Sequence, residues 1–87
     1  MYQIRILREA SRSLENLDKS VAHRIVRKIN WLAENAEVVK PKGLRKNLSG
    51  LSKLREGDYR IFYRVIHEEK TVIIQFIGHR REVYKNK

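Results

Sequence analysis

The chain has 87 residues, 20 Lys+Arg against 10 Asp+Glu, and no cysteine. Such a length supports one domain spanning 1–87, whose fold buries only about 60% of the surface its unfolded chain exposes. Missing cysteines exclude disulfides and thiolate metal sites, while a formal charge of +10 points first to nucleic acid and second to an anionic membrane surface.

Tyr2, Ile4 and Ile6 alternate with Gln3 and Arg5, the period of two that predicts a first strand. Arg5, Arg8 and Glu9 interrupt this N-terminus, so it does not read as a signal peptide. No later stretch approaches the roughly 20 apolar residues of a membrane span. A cytoplasmic protein is the expectation.

From about Glu9 to Leu17 the apolar residues Ala10, Leu14 and Leu17 recur at helical spacing. Asp18 or Ser20 can cap a second helix, because a short side-chain oxygen accepts from the free N–H groups of a first turn. Val21, Ile25, Ile29 and Leu32 then form one stripe, widened by Val26 and Ala33. The two helices are expected to form a hairpin on one face of a sheet. Lys40-Pro41-Lys42-Gly43 ends the helical region, and Leu44 to Gly50 reads as a linker without a domain boundary.

The second half reads as a three-strand meander. Leu51 to Glu56 and Tyr59 to Ile66 flank Gly57-Asp58, a two-residue hairpin signal with glycine where a type II′ turn needs it. Thr71 to Ile77 is nearly continuously apolar and should be central in the sheet. Gly78 should end it, and a short tail follows. The expected fold class is therefore α+β: a small antiparallel-rich sheet, an N-terminal strand, a helix hairpin on one face, the meander and the tail.

A one-residue slip of the hairpin would exchange its faces. A two-residue loop pairs Glu56 with Tyr59, Arg55 with Arg60, Leu54 with Ile61 and Lys53 with Phe62. One face then holds Leu54, Tyr59, Ile61, Tyr63 and Val65, and the other Lys53, Arg55, Arg60 and Arg64 around Phe62. A three-residue loop would mix cations into the apolar face, which is costly without partners. Between Lys42 and Arg64 stand seven Lys/Arg, Lys46 among them, against Glu56 and Asp58. Arg55 opposite Arg60 is a local cost, and an anion between them would offset it. Phe62 could stack on a base or simply cover the sheet.

Few mechanisms fit these residues. The carboxylates are scattered, unlike the cluster that a hard cation needs, and no metal or cofactor is expected. There is no nucleophile elbow and no phosphate-binding glycine loop. His23 and His67 read as surface and loop residues, whereas His79 opens the basic tail. Metal-free RNA cleavage remains: the 2′-OH attacks its adjacent phosphate, helped by a base, an acid and cations. A lysine among arginines is a candidate base because like charges disfavour its protonated form, which selects Lys53. Arg60 and Arg80 could hold the phosphate. Tyr84 could stack, move a proton or close the core.

The stretch LSGLSKLREGDYRIFYRV, followed by IGHRREVYK, resembles the RelE/ParE toxin superfamily, most closely its RelE branch. The resemblance covers essentially the whole chain and rests on G-D-Y-R-I-F-Y and G-H-R-R-E-V-Y in order. It implies a toxin that enters the ribosomal A site and cuts mRNA by 2′-OH attack without a metal, inhibiting translation. A cognate acidic antitoxin, with which it forms a hetero-oligomer, would neutralise it. The match places Lys53, Arg60, Arg80 and Tyr84 in the catalytic roles. Arg55 falls on a basic strand position, and His79 or Arg81 shares the role of Arg80. Arg64, Phe62 and Lys46 complete the expected RNA-binding surface. Leu51 stands where RelE members carry a first lysine. Two alternatives follow: a ParE-like toxin that binds DNA gyrase without cutting nucleic acid, and a non-catalytic RNA-binding module. Apolar helix stripes beside the positive charge also suit an amphipathic, acidic partner segment.

Overall fold

The computed structural model describes residues 1–38, 42–43 and 51–79. It has strand β1 (Gln3–Ile6), helices α1 (Arg8–Glu15) and α2 (Lys19–Asn35), and strands β2 (Lys42–Gly43), β3 (Ser52–Glu56), β4 (Tyr59–Ile66) and β5 (Thr71–His79). They form one five-stranded sheet in the order β1-β5-β4-β3-β2. All neighbours are antiparallel except β1 and β5, which run parallel. The expected α+β class and meander are both present.

No proline or glycine interrupts residues 8–35, so the backbone can run helically up to the Asn16 break. Asn16 closes α1 in a helical turn, its N–H reaching the carbonyls of Arg12 and Ser13. Asp18 occupies the N-cap position of α2 but makes no side-chain cap bond. Its backbone carbonyl accepts from Ala22 at 2.9 Å instead. Ile25, Ile29, Leu32 and Ala33 of α2 are buried, as helical periodicity requires. Val26, placed at the margin of that stripe, is 38% exposed.

The helices cover one side of the sheet. Helix α1 lies over β5, and α2 reaches from β1 to β3. Between the layers sit Tyr2, Ala10, Ile25, Ile29, Leu32, Ile61, Tyr63, Val72, Ile74 and Ile77. Each large side chain withdrawn from water there contributes about 1.5–3 kcal/mol. Tyr2 is pinned further by a 2.9 Å hydrogen bond between its hydroxyl and Nδ1 of His67. His67 itself lies in a short 3₁₀ turn, His67–Glu69, between β4 and β5.

Several differences from the sequence reading have simple causes. Lys42–Gly43, expected only to stop the helical region, also forms a short edge strand on β3. Gly78 does not end the last strand, which continues to His79 because Gly78 and His79 pair with Arg60 and Tyr59. The linker 44–50 and the tail from residue 80 lie outside the described residues.

Candidate RNA-binding face

The β3–β4 hairpin fixes the site. Its register is the two-residue one: Lys53 opposite Phe62, Leu54 opposite Ile61, Arg55 opposite Arg60 and Glu56 opposite Tyr59. Gly57 has φ +61° and Asp58 is not left-handed, the pattern of a type II′ turn. Ile61 and Tyr63 therefore point into the helical core. By alternation, Lys53, Arg55, Arg60, Phe62 and Arg64 share the face opposite α1 and α2.

That outer face has an apolar centre and a cationic margin. Phe62 packs against Phe76 of β5, ring centroids 4.5 Å apart and planes inclined by 31°. Phe62 is only 3% exposed, so of its two sequence readings the structure supports the covering one. Base stacking would need an accessible ring, and Phe62 does not present one. A bulge follows: Phe62 pairs with Phe76 but Tyr63 pairs with Ile74, leaving Gln75 as the extra residue. The bulge keeps Ile74 in the core beside Tyr63 and Phe76 beside Phe62.

Around this pair lie Lys53, Arg60 and Arg64. Lys53 and Arg60 are both half-buried and diagonal across the hairpin, a separation of about 7–8 Å in such ladders. Arg64 is exposed. Arg55, also exposed, turns its Nε onto the carbonyl of Gly57 at 3.0 Å, which fastens it to the hairpin tip. Arg60 differs from the rest. Its Nη1 is buried and has no hydrogen-bond partner among the described residues. Gly78, its neighbour on β5, brings no side chain. A buried guanidinium nitrogen without an acceptor is costly, and a phosphate oxygen would supply the acceptor, with a second oxygen completing a bidentate contact to the same guanidinium. Among the described residues, none of these cations is paired with a carboxylate.

The structure brings together Lys53, Arg55, Arg60 and Arg64, and it separates His79 from them. His79 stands opposite Tyr59, with ring centroids 5.1 Å apart and planes at 87°. It shares the face of Tyr59, which packs against the helical core. The expected RNA contact at His79 therefore lies on the other side of the sheet from Arg60. Lys46, Arg80, Arg81 and Tyr84 fall outside the described residues. Arg5 is a cation that the sequence reading passed over. Exposed on β1, it pairs with Ile73, which pairs in turn with Arg64. Only the parallel β1–β5 pairing reveals that row. Among the described residues, no three His, Asp or Glu side chains gather as metal ligands, and no helix is long and apolar enough to cross a membrane.

Tyr63 lies behind this surface. Burial pushes its hydroxyl pKa up from the ordinary 10.0, partly countered by a hydrogen bond with Ser52. It faces the core and supports β4 from beneath.

Residues 4–84 match the family model described as ParE toxin of the type II toxin–antitoxin system parDE. The chain belongs to the RelE/ParE superfamily of toxins. It is 33% identical over 86 residues to Toxin RelG of Mycobacterium tuberculosis, covering 97% of each chain. Its fold is similar to that of the RelBE2 toxin–antitoxin complex from the same organism, with TM-score 0.80, 32% identity and 90% of each chain covered. It is also similar to the isolated RelE toxin of Escherichia coli, with TM-score 0.77 and 25% identity over 98% of this chain and 93% of that one. These RelE/ParE relatives share the arrangement of sheet and paired helices described above, and this chain is a toxin of a type II toxin–antitoxin system.

Proposed function

We propose that this toxin is a ribosome-dependent, metal-free endoribonuclease that cuts mRNA in the A site and so inhibits translation. The observation that carries the proposal is Arg60 Nη1, buried and unpartnered on a cationic sheet face. A phosphodiester supplies the acceptors this nitrogen lacks, and developing negative charge on the phosphoryl oxygens would strengthen the contact. Lys53, diagonal to Arg60 on the same face, would take the proton of the 2′-OH in this mechanism. The 2′-oxygen forms a bond to phosphorus, the bond from phosphorus to the 5′-oxygen breaks, and a proton reaches that leaving oxygen. The products are a 2′,3′-cyclic phosphate and a 5′-OH. The mechanism assigns Arg80 to the phosphate and Tyr84 to stacking or proton delivery. Arg55, Arg64 and Arg81, with Lys46, would hold flanking phosphates. A cytoplasmic location follows from a ribosomal substrate.

A cognate antitoxin is the second partner. The RelBE2 structure and an Escherichia coli RelBE structure are toxin–antitoxin complexes, and we assign this chain an acidic antitoxin of the same kind. The cationic face gives such a segment a binding surface that competes with RNA.

The test is to incubate the full chain with programmed ribosomes and map mRNA 5′ ends. Codon-phased cuts ending in cyclic phosphate are expected. Intact mRNA on ribosomes incubated with the toxin would exclude the nuclease. Leu51, where RelE members carry a lysine, and the ParE description of the family model favour a gyrase-directed toxin as the second reading. Inhibition of supercoiling by the purified protein would distinguish it.

A further inference from the structure

Helix α2 carries a second cationic surface, which the catalytic face does not use. Arg24 stands three and four residues before Arg27 and Lys28, which stand four and three before Trp31, so the four share one side of α2. With Glu56, at the end of β3, they line a cleft of about 480 Å³. Glu56 pairs in register with Tyr59, whose ring packs against the helical core. The cleft thus opens on the helical side of the sheet, opposite Arg60.

Three features define what this cleft would bind. Among the described residues its cations outnumber its acid three to one, and none of these cations forms an ion pair. Trp31, the chain's single tryptophan, is 42% exposed, an unusual position for so large an apolar side chain. Finally, Lys28 Nζ lies 4.8 Å from the centroid of the indole ring, so the ring already holds a cation at its face. Exposed aromatic surface among unneutralised cations is the arrangement that takes single-stranded nucleic acid, with a base on the ring and phosphates on the cations. An acidic helix would instead need a continuous apolar stripe. Among the described residues, the cleft offers only Trp31 for that purpose.

We infer that the Arg24/Arg27/Lys28/Trp31 face of α2 is a second RNA-binding surface, on the opposite side of the sheet from the phosphodiester-cleaving face. The identity of the partner as RNA rests on the proposed function. A base stacks on Trp31 and displaces Lys28 toward a phosphate, while Arg24 and Arg27 contact neighbouring phosphates. Two such surfaces would let the toxin sit between RNA segments rather than on a single strand.

Because Trp31 is the only tryptophan, its fluorescence reports on this cleft alone. The full chain is titrated with a 12-nucleotide RNA carrying 2′-O-methyl groups, which cannot be cut by 2′-OH attack, and total binding is followed by anisotropy of the labelled RNA. Trp31 emission should be quenched as the RNA binds. Trp31→Ala should weaken binding about ten-fold. Replacing both Arg24→Gln and Arg27→Gln should lower the slope of log affinity against log salt by roughly 1.4. Binding without any change in Trp31 emission would overturn the inference, as would an unchanged salt slope in the double variant. So would an emission change produced by polyglutamate but not by RNA, since that would make the cleft a protein site. Ribosomal cleavage is read separately. Quenching without mRNA cuts would retain this surface and remove the nuclease, and cuts without quenching would do the reverse.

Discussion

Strand β4 shows within eight residues how differently the two sides of this sheet are built. Ile61 and Tyr63 are fully covered by the helical layer. Arg60 and Arg64 point the other way, with an unsatisfied guanidinium nitrogen on the first and open exposure on the second. The covered side is settled internally, since its side chains find their partners within the fold. The cationic side is not, because it gathers like charges, and among the described residues no carboxylate pairs with them. The first arrangement explains why the chain folds. The second is understandable only with an anion from outside, which a purely structural surface would not require.

Phe62 complicates that division, and changing it should have the largest effect on stability. It belongs to the cationic side by alternation but is buried against Phe76. Phe62→Ala should therefore destabilise by about 3–5 kcal/mol, as at a core site, in urea unfolding. A loss of RNA affinity at unchanged stability would instead make it a stacking platform. Ile29→Ala, beneath the sheet, should cost about 2–5 kcal/mol by the same measurement. Lys53→Ala should leave the unfolding midpoint nearly unchanged and slow ribosomal cleavage by roughly 10²-fold or more if it is the base.

Smaller effects sharpen the comparison. Nothing lies within 4 Å of a Cβ built on Gly57, whose φ is +61°. Gly57→Ala should then cost only the backbone strain, about 1–2 kcal/mol. A larger loss would mean that the turn sets the register more strongly than the two faces do. The smallest effect should come from Tyr63. Its pKa in the fold is raised above 10.0 by burial. The unfolded chain therefore releases this proton first as pH rises. The stability it contributes is complete below about pH 10 and is lost as pH rises through the folded value. Tyr63→Phe should flatten the alkaline fall in thermal midpoint relative to wild type. An equally steep fall would assign it to other groups.

Much of this arrangement was legible because one error would have been expensive. Slipping the hairpin would have moved Arg60 into the core, so charge alone selected the register that pairs Arg55 with Arg60. The stripe from Ile25 to Ala33 was equally readable, since burial follows helical period. Non-local pairing was not. Nothing in Gln3–Ile6 announces a parallel partner in Thr71–Ile74, and so Arg5 was missed as a neighbour of the Arg64 row. The bulge at Gln75 was hidden because apolar residues flank it on both sides, leaving no alternation to break. The burial of Phe62 depends on that bulge and on Phe76. The side taken by His79 depends on the strand's continuing through Gly78, where a stop was expected.

Arg60 is the residue through which the cationic face is proposed to act on a phosphodiester. The most direct measurement compares wild type with Arg60→Ala in cleavage of mRNA on purified ribosomes, with unfolding measured on the same samples. That role requires cleavage to fall roughly 10²- to 10³-fold. It also requires equal or greater stability, because a buried nitrogen without a partner among the described residues has been removed. Undiminished cleavage by Arg60→Ala, or a loss of activity that merely follows unfolding, would contradict it.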